Sequence, residues 1–108
     1  MQVLSKFYSD TGPERIGFVI GNKIIEVNNI CETPDDGFMV SASDIIKYAE
    51  QADAFWHTHP NQSSNLSSED YVGIKNWPNM VHYIVGKNGV SGYQYNDDLK
   101  AVVEVHDD

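Results

Sequence analysis

Two β-branched, apolar runs lead the hydrophobic pattern of the chain, residues 15–20 (Arg-Ile-Gly-Phe-Val-Ile) and 23–27 (Lys-Ile-Ile-Glu-Val), separated by Gly21-Asn22. A two-residue Gly-Asn break between such runs predicts a β-hairpin. Residues 33–37, with Pro34 and two aspartates, interrupt the pattern before a short apolar run at 38–40. Ser41 then stands three residues before Asp44, a capping-box-like start, and Ile45, Tyr48, Ala49 and Ala52 follow at helical spacing. That spacing predicts a helix of roughly ten residues.

The compact apolar stretch at 54–58 reads as a buried strand that runs into His57 and His59, with Phe55 and Trp56 as core. After a serine-rich loop at 61–65, Ser67 starts a second predicted helix, with Asp70 in its first turn, Ile74 and Trp77 below it, and Pro78 ending it. Residues 80–85 and 90–95 read as strands joined by a type I′ turn at Lys87-Asn88-Gly89, and 101–105 as a last strand. Strands outnumber helices without regular alternation, so the expected class is α+β, a single mixed sheet with flanking helices.

The chain's 108 residues, 41% of them hydrophobic, suffice for one domain, taken as 1–108. No stretch of about eighteen apolar residues is present, residues 1–10 lack the order of a signal peptide, and the single cysteine, Cys31, has no partner for an internal disulfide. A soluble protein of a reducing, cytoplasmic compartment is the expectation. With 16 acidic against 7 basic residues the formal charge is -9, which repels phosphate backbones and anionic headgroups and argues against nucleic acid and membrane as partners. The pairs Asp35-Asp36, Asp97-Asp98 and Asp107-Asp108 read as solvated.

Candidate chemistry is concentrated at His57-Thr58-His59, then seven residues, then Ser67-Ser68-Glu69-Asp70. Histidines at i and i+2 of an extended segment share a face, so both rings can reach one ion, and an aspartate early in the next helix can supply a third ligand. Two histidines and a carboxylate suit zinc, and three protein ligands leave a fourth position for catalysis.

These residues resemble the JAMM (MPN+) zinc metallopeptidase family, whose pattern is His, Ser or Thr, His, seven residues, Ser, two residues, Asp. Upstream, Glu14-Arg15-Ile16-Gly17-Phe18-Val19-Ile20-Gly21 is similar to the family's glutamate-led strand. The resemblance implies a JAMM/MPN, cytidine-deaminase-like architecture, zinc held by His57, His59 and Asp70, Glu14 as general base, and Ser67 helping to stabilise the oxyanion. The implied activity is metal-dependent hydrolysis of a peptide or isopeptide bond in a protein substrate.

Ser67 also reads as a plain helix N-cap, able to be cap and donor at once. Glu26 and Glu32 are the other upstream candidates, and neither leads a strand-and-glycine pattern. A Cys31 thiolate reaching the metal would close the site. Thr58 faces away from the ligands and reads as packing or a supporting hydrogen bond, while His82 and His106 lack ligand spacing and read as structural or solvated.

Twelve residues precede Pro13 and 42 lie between Glu14 and His57, little room for a full leading helix or for the insertions with which ubiquitin-cleaving relatives grip their substrate. The compact form is most similar to the JAB domain of phage tail-tip assembly proteins, often joined to an NlpC/P60 cell-wall hydrolase. That likeness implies a tail component as substrate and the host cytoplasm or virion as location. Processing of a ubiquitin-like sulfur carrier and a non-catalytic, metal-stabilised assembly scaffold are the other readings.

Overall fold

In a computed structural model, which describes residues 1–78 and 80–105, the predicted strands assemble into one six-stranded sheet. The strands are β1 (Ile16–Ile20), β2 (Lys23–Val27), β3 (Ala54–Thr58), β4 (Val81–Gly86), β5 (Gly89–Asn96) and β6 (Ala101–Val105). Their spatial order is β2-β1-β3-β4-β5-β6. The β3–β4 pair is parallel and the other four are antiparallel. A parallel pair needs a crossover, and helix α2 (Ser68–Lys75) lies in it. The expected class holds: an α+β fold around a single mixed sheet.

Helix α1 (Ala42–Tyr48) starts where Ser41 Oγ accepts the Asp44 N–H at 3.2 Å, and a 3-10 turn, Ala49–Gln51, completes the ten residues expected. Helix α2 stops at Lys75, before Trp77, because the residue preceding Pro78 is sterically pushed out of helical conformation. One expectation needs correction. Lys87 and Asn88 are not among the residues with positive φ, so their turn is not type I′; Gly89 carries the positive value, +117°. The segment before Pro13 forms a six-residue 3-10 helix, Gln2–Phe7, rather than a full leading helix.

Alternation along β3 splits the molecule into two faces. Trp56, Ala54 and Val19 pack with Val85 beneath Leu4 of the 3-10 helix, and Phe7 stacks on Trp56 with ring centroids 4.6 Å apart. The opposite face carries His57, Phe55 and His82, while Ile84 and Tyr93 pack against Ile74 of α2. Trp56 is core as expected; Phe55 is half-buried on the second face. His106 and the Asp107-Asp108 pair lie outside the described residues. No helix among the described residues is long and apolar enough to cross a membrane.

Candidate metal centre

The end of β3 delivers His57 and, one residue past the strand, His59, both buried and with their Nε2 atoms 3.0 Å apart. His59 is fixed because its N–H donates to the Val85 carbonyl at 2.8 Å, which extends the β3–β4 pairing beyond the strand. Asp70 approaches from the first turn of α2: Oδ1 lies 3.1 Å from His57 Nε2 and Oδ2 3.0 Å from His59 Nε2. Its position follows from a full capping box, in which Ser67 Oγ accepts the Asp70 N–H at 3.1 Å and Asp70 Oδ2 accepts the Ser67 N–H at 3.2 Å.

Each ring has a partner on its other nitrogen. His59 Nδ1 donates to the Ser63 carbonyl at 2.9 Å, because a carbonyl can only accept, so a ring that gave up its other proton to a metal would present the Nε2 lone pair. Gly86 leaves room for this loop, since a Cβ there would collide with the Ser63 and Ser64 backbone. His57 Nδ1 stands 2.8 Å from His82 Nε2. His82 sits one strand across and diagonal to His57, since β3 and β4 pair Phe55 with His82 and His57 with Ile84.

Glu14 precedes β1 and is held through its backbone. Its N–H donates to the Pro34 carbonyl at 2.7 Å, and its carbonyl accepts from Asn29 Nδ2 at 2.8 Å. The same Asn29 amide also donates to Gly37 and accepts the N–H groups of Cys31 and Met39, so one side chain gathers the 29–39 loop around Glu14. On the next residue, the Arg15 N–H donates to Thr58 Oγ1 at 2.8 Å and the Thr58 N–H returns to the Arg15 carbonyl at 2.9 Å. Thr58, turned away from the ligands, thus ties Glu14's strand to the histidine strand. Glu14, His57 and His59 offer ligand atoms within 4.8 Å of one another.

Ser67 lies where the sequence puts it, as N-cap, and also lines the cleft. Its hydroxyl is also turned to the Asp70 carboxylate, which it helps to hold ionised. The rival residues are accounted for. Glu26 is engaged by Arg15 at 2.6 Å, Glu32 is exposed and outside the cluster, and Cys31 lines the cleft beside Thr33 without joining the metal-ligating group. Sequence reasoning missed His82 and Asn29 as supports of the site.

The charges are tuned by these contacts. Burial pushes the Asp70 carboxyl up, but hydrogen bonds from His57, His59 and Ser67 outweigh it and hold the group well below the usual carboxylate range. Burial drives His57 down, and drives His82 down to about 3, so both rings stay neutral. For His59 burial is outweighed by the bonds to Asp70 and Ser63, and its pKa rises. Burial raises Glu14 to about 7, against a downward pull from His59 and with added repulsion from Asp70. A carboxylate poised there exchanges protons near neutral pH.

The donor set fits a zinc ion. Two imidazole nitrogens and a carboxylate converge at 3.0–3.1 Å, and three lone-pair groups aimed at one point repel unless a proton or cation lies between them. Ligand atoms around a tetrahedral ion with bonds of about 2.0–2.1 Å stand about 3.3 Å apart, so the set needs to open by only a few tenths of an ångström. The site forms one end of a cleft of about 650 Å³ lined by Glu14, His59, Ser67 and Asp70 together with Phe38, Glu69, Val72 and Gly73.

No family model matches the chain, and no curated protein does. Among solved structures, the chain is similar to the solution structure of protein DSY2949 from Desulfitobacterium hafniense, a Northeast Structural Genomics Consortium target. The TM-score is 0.65 at 15% identity, over 98% of this chain and 83% of that one. A likeness at that identity speaks to the fold alone.

Proposed function

We propose that this chain is a zinc-dependent peptidase or isopeptidase of the JAMM/MPN+ type, hydrolysing an amide bond in a protein substrate. One observation carries the reading. His57, His59 and Asp70 converge to within 3.1 Å at the end of an open cleft, with the Glu14 carboxylate within 4.8 Å of the histidine nitrogens. The mixed sheet with its α2 crossover supports the JAMM/MPN architecture that the motif implies.

Zinc held by these three side chains would supply Lewis acidity, lowering the pKa of water toward about 7 and polarising an amide carbonyl. Glu14, raised to about 7, takes the proton that water gives up as its oxygen attacks the carbonyl carbon. It then passes that proton to the leaving nitrogen, acting as base and then acid. The Ser67 O–H donates to the oxygen on which negative charge collects. His82 holds His57 in the tautomer that turns Nε2 toward the cleft, and Ser63 does the same for His59.

The compact spacing between Glu14 and His57 favours a minimal setting such as phage tail assembly, in the host cytoplasm or virion, over ubiquitin removal. Tail-protein cleavage and sulfur-carrier processing use the same site and differ in the partner. Zinc-loaded wild type and Glu14→Gln, incubated with both kinds of protein, test the proposal. The expected result is equal zinc content and melting temperature, with cleavage by wild type and a loss of about 10²- to 10⁴-fold in the variant. Zinc binding with equal assembly function and no cleavage by either protein would make the domain a metal-stabilised scaffold.

A further inference from the structure

Beside the metal centre, on the same face of the sheet, lies a second cavity of about 160 Å³, floored by Phe18 and Phe55 and walled by Val40, Ile45 and Trp77. Phe38 and Gly73 line both this cavity and the cleft, so the two spaces meet between the 38–40 segment and the middle of α2. The meeting point borders the ligands, since the Phe38 ring lies 4.6 Å from the His57 ring, centroid to centroid.

Gly73 is the telling residue. Inside a helix, glycine is among the poorest choices. Gly73 is not among the residues with positive φ, and a Cβ built on it would meet nothing within 4 Å. Neither backbone conformation nor crowding asks for glycine there. What the missing side chain leaves is a bare stretch of α2 where cleft and cavity adjoin. An apolar cavity of about 150 Å³ accommodates one benzene ring, so this one has room for a single aromatic or large aliphatic side chain.

We propose that the cavity is a specificity pocket. It receives a large apolar side chain from the substrate residue next to the scissile bond, entering past Gly73 while the peptide backbone lies in the cleft. The assignment rests on the peptidase reading of the cleft. A free apolar ligand would need no cavity adjoining the cleft, whereas a side chain branching from a bound backbone does.

The test has two arms on the zinc-loaded protein. In the first, ¹⁵N spectra follow titration with N-acetyl-L-phenylalaninamide or N-acetylglycinamide. The phenyl probe should shift the Gly73 amide and the Trp77 indole, which is 40% exposed at the cavity wall, and leave the buried Trp56 indole unmoved; the glycine probe should shift neither. Gly73→Leu, which fills the junction from α2, and Val40→Phe, which fills the cavity from the opposite wall, should abolish the Trp77 shift while keeping zinc content and the Trp56 signal.

In the second arm, cleavage sites are profiled in a proteome-derived peptide mixture, with Glu14→Gln as blank. Wild type should show Phe, Leu or a similar residue at one fixed position beside the cut, and Gly73→Leu should lower that preference about tenfold or more. Cleavage without such a position, or no Gly73 and Trp77 shift with the phenyl probe, overturns the pocket and leaves the peptidase reading standing. Phenyl binding with no cleavage of any peptide overturns the peptidase reading and the substrate assignment with it.

Discussion

The two faces of the sheet are built from the same strands and obey opposite rules. On one, Trp56, Leu4, Val19 and Val85 are almost wholly buried and apolar, closed by the N-terminal 3-10 helix. On the other, His57, His82 and Asp70 are just as buried but polar, each with a hydrogen-bond or ion partner, and they open onto a cleft and an apolar cavity. Successive residues of β3 serve the two sides: Trp56 points to the dry face and His57 to the reactive one. The site face has a hydrophobic cluster of its own in Ile74, Ile84 and Tyr93, so its buried polar groups are held by pairing with one another beside apolar packing, while the dry face is held by packing alone.

The sharpest way to break this division is to damage the dry face. Trp56→Ala is expected to cost about 3–5 kcal/mol of stability, read by chemical denaturation, while folded protein at low denaturant still binds zinc. Equal loss from a site-face truncation such as Phe55→Ala would dissolve the distinction.

Acid should act through the other face. In metal-free protein His57 and His82 are held neutral, so in the unfolded chain each binds a proton below about pH 6.5 that the folded state refuses. Glu14, raised to about 7, works the other way, keeping in the folded state a proton that the unfolded chain releases above about pH 4.5. His59, whose pKa is raised, contributes fully below about pH 6.5, and Asp70, whose pKa is depressed, contributes fully above about pH 4. Two protons against one make the metal-free protein lose stability as the pH falls from about 6.5 toward 4.5. Urea melts across that window measure it.

His82→Phe removes the partner of His57 Nδ1 without touching a proposed ligand. Zinc affinity should fall about 10- to 100-fold, the usual effect of losing a group that orients a ligand, by competition with a chelator of known strength. The smallest effect is expected at Cys31→Ser, within about 0.5 kcal/mol of wild type and with unchanged zinc stoichiometry. Loss of metal there would mean a closed, structural site.

Much of the architecture was legible because its signals are local. Gly21-Asn22 between two β-branched runs, Ser41 and Asp44 ahead of α1, and Ser67 and Asp70 ahead of α2 each carry their own geometry. The gathering of His57, His59 and Asp70 could likewise be read from strand alternation and motif spacing, whereas Glu14 was linked to them only by the family resemblance. His82 could not, because its meeting with His57 depends on the parallel register of β3 with β4, which no short stretch of sequence encodes. Asn29 was hidden for a related reason: it acts on backbone groups of Glu14 and of a loop extending ten residues beyond it. The turn after β4 misled because Gly89 suits more than one turn type, and only the φ values of Lys87 and Asn88 separate them.

Asp70 has two obligations, to the helix start through Ser67 and to the histidines through both oxygens. Few replacements meet both. Asparagine can mimic the shape but gives up the charge, histidine could still ligate but abandons the Ser67 N–H, and alanine forfeits both. Under natural or laboratory selection, position 70 should therefore show the narrowest alphabet in the chain, a bottleneck set where secondary structure and chemistry draw on the same three atoms.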